Sequence, residues 1–86
     1  VAITSGNITV GTVASLIDGT SVSNFRLLVH NNDNTDAVYL GGPNVTIANG
    51  LQLDKGIILQ LEMNPLDSVY AVSGKTGHII SYMKQE

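Results

Sequence analysis

Apolar and polar positions alternate along most of this chain, and clusters of turn-forming residues interrupt them at short intervals. Ile8-Thr9-Val10-Gly11-Thr12 alternates with a period of two and continues through Val13 to Ile17. This predicts one strand with Ile8, Val10, Ala14 and Leu16 on a common face. Asp18-Gly19-Thr20-Ser21 ends it with turn residues. Phe25 to His30 reads as a second strand, with Phe25, Leu27 and Val29 on one side and Arg26, Leu28 and His30 on the other. Asn31-Asn32-Asp33-Asn34-Thr35-Asp36 follows as a loop whose side chains can bond their own backbone. Ala37 to Leu40 is a short strand closed by Gly41-Gly42-Pro43-Asn44, and Pro43 belongs outside any central strand.

The next signals are sharper. Val45–Ala48 and Leu51–Leu53 flank Asn49-Gly50, the residue pair favoured in a type I′ hairpin turn because both positions need positive φ. Asp54-Lys55-Gly56 turns the chain into Ile57–Met63, with Ile57, Leu59 and Leu61 on one face. Asn64-Pro65-Leu66-Asp67 stops that run, and Val69–Ser73 and Gly77–Met83 follow, separated by Gly74-Lys75-Thr76. Gly41, Gly42, Asn49, Gly50 and Gly56 are thus the expected structural turn positions. The result is an all-β chain of seven or eight mostly antiparallel strands, a single compact sandwich or barrel. No helix and no internal repeat is predicted. Residues 1–86 form one domain, with 1–7 expected as an extended arm and 84–86 as a free end.

Length and charge sharpen this picture. A domain of 86 residues buries only roughly 60–65% of its unfolded surface. There are no cysteines, so disulfides, thiolate metal sites and Cys nucleophiles drop out. No apolar run approaches the length of a bilayer span, which predicts a soluble chain without a membrane role. Charged residues are 13% of the chain, against about 25% in an average soluble domain. The first 25 residues contain a single charge, Asp18. A net charge of −3 with four scattered basic residues argues against nucleic acid as a partner. Solvent-facing positions are filled by Thr, Ser, Asn and Gly. A weakly charged exterior suits a surface that meets other subunits, because interface cores are depleted in charge.

Candidate chemistry is sparse. Gly74-Lys75-Thr76 imitates the end of a phosphate-binding loop, but Val69 stands where the first glycine would be and no helix follows. The Asn31–Asp36 cluster offers oxygens that calcium accepts, without the glycine and bidentate glutamate of a loop site. His30 and His78 have no second ligand at metal spacing. No nucleophile elbow is present, and Glu62 shares the solvent face of its strand with Gln60 and has no aromatic cleft. Three Tyr, one Phe and no Trp are few for a sugar platform. The residues therefore predict no enzyme, no cofactor and no metal site.

The strand and turn signatures resemble one family. Arg26–Asn31, Val38–Gly42, Val45–Gly50, Leu53–Gly56 and Asp67–Ser73, with Thr9–Thr12 at the start and the strand after Gly77, look like the small virion-associated proteins of tailed bacteriophages. That resemblance implies a structural protein on the particle exterior, assembled in the bacterial host cytoplasm. It would decorate or cement the head through symmetric contacts. A tail or baseplate adaptor, or a fibre base, is the second possibility, and a carbohydrate-binding module the third. The expected partners are further copies of the chain, as a trimer, and the major capsid protein or another virion protein. The uncharged first strand supplies the expected interface, at Ile8, Val10, Thr12 and Val13. Its alternative is an interior strand of the monomer.

Overall fold

The structure, a computed structural model, describes residues 3–17, 22–33 and 35–86. It contains eight strands: β1 Ile3–Val10, β2 Ser15–Ile17, β3 Phe25–Asn31, β4 Val38–Gly41, β5 Leu51–Leu53, β6 Ile58–Met63, β7 Val69–Ser73 and β8 His78–Gln85. They form two four-stranded sheets, β1-β8-β3-β6 and β2-β7-β4-β5, and every pairing is antiparallel. The chain is in effect one long hairpin with its tip between β4 and β5. Its paired arms then roll over so that β3 also meets β8 and β4 also meets β7. That nested order is the double-sheet jelly roll, and it decides for a sandwich.

The core follows from alternation. In β3, Phe25, Leu27, Val29 and Asn31 are buried, while Arg26, Leu28 and His30 lie on the other side. Val10 and Ile80 from the same sheet meet Ile17, Val38, Leu40, Leu53 and Ala71 from the other. These inward rows are what hold the two sheets together, at about 25 cal/mol for each Å² of apolar surface removed from water. Tyr82 lies across Gly6, where a Cβ would come within 2.9 Å of its hydroxyl.

Several expectations change. The run from Ile8 to Ile17 is not one strand. It divides at Gly11–Ala14, so that β1 and β2 enter different sheets, and Gly11 O accepts a bond from Ser73 N (2.9 Å) as the chain crosses. The link shifts the alternation by one residue, burying Ile17 and leaving Leu16 exposed. Val45–Ala48 is not a strand either. It forms a turn in which Thr46 O accepts from Asn49 N and Gly50 N. The Asn49 side chain returns to Thr46 N (2.8 Å), and Ala48 N donates to Thr46 Oγ1. This reciprocal bonding resembles a helix capping box, and such side-chain partners outcompete a strand ladder.

Asn49 and Gly50 also lack the positive φ of a type I′ turn. Gly50 is needed for space: a Cβ there would lie 2.7 Å from Tyr39 Cβ and 2.8 Å from Val45 Cγ2. Gly56 does adopt the left-handed region, at φ 72°, and Gly41 and Gly42 lie at the end of β4 and in the turn that follows. In β6 the inward residues are Leu59, Leu61 and Met63; Ile57 precedes the strand and is exposed. The expected N-terminal arm is strand from Ile3 onward, and Lys84 and Gln85 belong to β8 instead of a free end. Residues 1–2, Asn34 and the turn expected at 18–21 lie outside the described residues.

Candidate functional site

The most concentrated polar chemistry lies at one end of the sandwich, where β3 ends, β7 ends and β8 begins. Asn31, Ser73 and His78 are all buried. Asn31 Nδ2 donates to the carbonyls of Asp36 (3.0 Å) and Leu53 (3.0 Å). Its Oδ1 accepts from Asp33 N (3.1 Å) and sits 2.7 Å from His78 Nε2. Because that oxygen can only accept, His78 Nε2 carries the proton and Nδ1 accepts from the Ser73 hydroxyl at 3.0 Å. Lys75 N donates to Ser73 Oγ in turn. Burial holds the His78 pKa below its ordinary value of 6.5.

Serine, histidine and asparagine in one hydrogen-bonded row have the composition of a nucleophilic triad. Ser73 is 1% exposed and His78 fully enclosed, so the hydroxyl is closed off from solvent. The row works as a structural tie. Together with the main-chain bonds of Asn31 to Ile57 O and from Gly56 N, it fastens the β5–β6 connection to the middle of the sandwich.

Beside the row, Asp33, Thr35 and Asp36 converge on Lys75. The ammonium pairs with Asp33 and, at 3.1 Å, with Asp36, and reaches Thr35 Oγ1 at 3.4 Å. The Lys75 ammonium, the Thr35 hydroxyl and the backbone N–H groups of Thr35 and Asp36 hold the Asp33 carboxyl well below the carboxylate range. Asp33, then Asp36, raises the Lys75 pKa above its usual 10.5. The two carboxylates of that loop, Asp33 and Asp36, are thus both engaged by one cation of the chain itself. Among the described residues no group of three His, Cys, Asp or Glu side chains converges as a metal site would need.

The remaining surfaces are sheet faces and edges. Register places Gln60, Leu28, Met83 and Ser5 in one row across the outer face of the β1-β8-β3-β6 sheet, with Ile58, His30, Ser81 and Asn7 beside it. These rows line a shallow open groove of about 450 Å³. Asn32 bridges His30 Nδ1 and Ser81 Oγ there, both at 2.5 Å. Four-residue links join β1 to β2 and β5 to β6, so the sandwich has a β1/β2 flank and a β5/β6 flank. On the first, no described strand covers β1 or β2, residues 3–17 contain no charged side chain, and Ile3, Val13 and Leu16 are 64%, 76% and 47% exposed. The second carries Asp54, Lys55 and an Arg26–Glu62 pair at 3.4 Å. It encloses a small cleft between Leu51 and Leu59–Leu61.

The four residues expected at an interface separate here. Val10 is fully buried and Ile8 packs on the core, so their side chains are used inside the domain. Thr12 and Val13 stand exposed in the β1–β2 link. The Asn31–Ser73–His78 row was missed because its members are distant in sequence. The one usable signal was that Asn31 falls on the inward phase of β3.

No model of a known protein family matches the chain, and no curated protein matches it. It is similar to a chain from a solved structure of Bacillus endospore appendages, described as a novel family of disulfide-linked pili. The two share 14% identity over 98% of this chain and 84% of that one, with a TM-score of 0.58. This likeness is one of fold. It overturns the expected resemblance to phage virion proteins, and with it the head-decoration role, the virion location and the capsid partner: the structural relative is a bacterial surface appendage. The quoted motifs are turn and strand signatures, which any sandwich of this topology needs, and they do not discriminate between families. The disulfide linkage described for the relative has no counterpart within these 86 residues, which contain no cysteine.

Proposed function

We propose that the chain is a non-catalytic structural subunit that associates with copies of itself in a pilus-like assembly. The observation that carries this reading is the β1/β2 flank, an open strand edge without charge beside exposed apolar side chains. Soluble sandwiches ordinarily guard such an edge with lysine, proline or a bulge. The jelly-roll likeness to a pilus chain supports it, as does the enclosed Ser73–His78 pair, which offers no reactive group to solvent. Cohesion would rest on backbone pairing and apolar contact, since no thiol is available. The trimer expected for a phage lattice loses its motivation with that lattice.

Light scattering and negative-stain electron microscopy on protein concentrated to several hundred micromolar test the reading. Reversible growth in mass with concentration is the expected result. A strictly monomeric protein across that range would overturn it.

A further inference from the structure

The β1/β2 flank invites a more specific statement, one that rests on the self-associating reading above. We infer that the outer edge of β1 pairs antiparallel with the β1 edge of a second copy, about a two-fold axis at Asn7, joining two four-stranded sheets into one of eight strands.

Edge length and composition single out β1. It has eight residues, against three in β2, three in β5 and six in β6. It contains neither proline nor charge and pairs with β8 without interruption from Ile3 to Val10. A strand edge of this kind offers a full row of backbone donors and acceptors on its free side. Lys84 on β8 pairs at 3.4 Å with Glu86, just beyond the strand.

Charge decides which edge it meets. Pairing with β6 would bring the Arg26–Glu62 ion pair, Gln60 and the Asp54-Lys55 turn towards the contact and take them out of water, at a cost that neutral residues opposite do not return. Pairing with β1 of another copy takes no charged side chain of residues 3–17 out of solvent, since they have none. Like flank against like flank also brings Val13 and Leu16 of each β1/β2 corner towards the partner. Heterologous pairing could propagate by itself, whereas this isologous contact closes. The repeating unit of the assembly is then a pair of chains, and growth beyond the pair uses a second, different contact.

Pleat restricts the register. Residues directly opposite must point to the same face, so outward Ser5, Asn7 and Thr9 can meet only outward residues. With Asn7 on the axis, Asn7 faces Asn7, Ser5 faces Thr9 and Gly6 faces Ile8. Two carboxamides then meet on the outer face, and the inward pair is Gly6 with Ile8. In this register Thr4 to Val10 are paired, and seven residues at about 3.4 Å each give an edge of roughly 24 Å. The shortest dimension of the molecule is 16 Å. Together these give a contact on the order of 380 Å² on each copy, below the size of standard stable interfaces, so weak, concentration-dependent association is expected.

Sedimentation equilibrium on the whole chain, with a charge cycle on exposed residues, tests this. Ser5→Lys/Thr9→Lys places two like-charged pairs across the axis and should weaken association about tenfold or more. Ser5→Lys/Thr9→Asp places opposite charges at the same two positions and should restore association to the wild-type level or tighten it. Asn7→Cys should form an interchain disulfide under mild oxidation, while Thr4→Cys should not, since Thr4 faces Val10. Thermal melts of dilute protein monitor folding of each variant. Wild-type association that is indifferent to both charge variants would overturn the β1 contact and leave the self-associating reading in place. Equal weakening by both variants would also overturn this register. A monomeric wild type would remove both.

Discussion

The two flanks of the sandwich solve the same problem in opposite ways. Each joins an edge strand of one sheet to an edge strand of the other through four residues. The β5–β6 link is tied down by Asn31, whose side chain and backbone engage Leu53, Gly56 and Ile57, and its surface carries ions. The β1–β2 link has one backbone bond, Ser73 N to Gly11 O, among the described residues, and its surface carries none. The difference teaches where this fold spends its polar chemistry: on fixing one side internally, while the other keeps an unguarded edge. A buried polar tie rigidifies only when every member is satisfied, and here no buried side-chain polar atom among the described residues lacks a partner.

The sharpest way to break the contrast is Asn31→Leu. It leaves the Leu53 and Asp36 carbonyls, Asp33 N and His78 Nε2–H without their side-chain partner. A loss of about 3 kcal/mol or more in urea unfolding is expected, since each stranded buried group costs ~1–3 kcal/mol. Gly50→Ala comes next, because a Cβ there collides with Tyr39 and Val45 beside β5. It should cost about 1–3 kcal/mol, whereas Gly42→Ala, which meets nothing within 4 Å, should be nearly neutral by the same measurement.

Acid probes the tie without mutation. The folded His78 pKa lies below the unfolded value of 6.5, so the unfolded chain binds a proton that the folded chain refuses. Stability from this group is complete above pH 6.5 and falls as pH drops from 6.5 towards the folded pKa, with a limiting slope of about 1.4 kcal/mol per pH unit. The Asp33 contribution is present above its unfolded value of 3.8 and is lost only as the carboxylate protonates below it. Lys75 acts at the other end, its contribution holding below 10.5 and disappearing as pH rises through its raised pKa. Urea midpoints should therefore be flat between pH 7 and 10 and lower at pH 5, and His78→Gln should flatten the step near pH 6. An unchanged step in that variant would assign it to another group.

Smaller effects refine the picture. Leu66 sits at φ 68° in the exposed turn after β6, a conformation that costs a non-glycine residue about 1–2 kcal/mol. Part of that is returned as entropy of the unfolded glycine. Leu66→Gly should raise stability by about 0.5 kcal/mol in the same assay. Removing the exposed Arg26–Glu62 pair with Arg26→Gln/Glu62→Gln should change folding by less than about 0.5 kcal/mol. If charge guards the β6 edge, that variant associates at lower concentration than wild type in sedimentation, because β6 then carries no charged side chain.

Much of this architecture was readable from local chemistry. Period-two alternation identified β3 and β6, since one buried face imposes it, and Gly56 marked its turn. The reading failed where a longer-range contact overruled the local signal. Asn49-Gly50 satisfied the hairpin rule, yet Thr46 and the crowding of Tyr39 and Val45 on Gly50 decided that segment. Ile8 to Ile17 kept its alternation up to the corner, where the second sheet claimed β2 and shifted the phase. The polar row left only the inward phase of Asn31 as a local signal, because Asn31 meets Ser73 and His78 only when β3, β7 and β8 converge.

By itself, then, the sequence determined an all-β chain, its turn positions, its scarcity of charge and its bare first strand, all of which depend on neighbours a few residues apart. Tertiary structure alone decided the nested strand order, the occupation of the acidic loop by Lys75 and the enclosure of Ser73 and His78. It also decided which bare residues, Thr12 and Val13, stay outside while Ile8 and Val10 go in. Those outcomes depend on which sheet each strand joins, and that choice is made by packing two inward faces together, a contact between residues far apart in the chain.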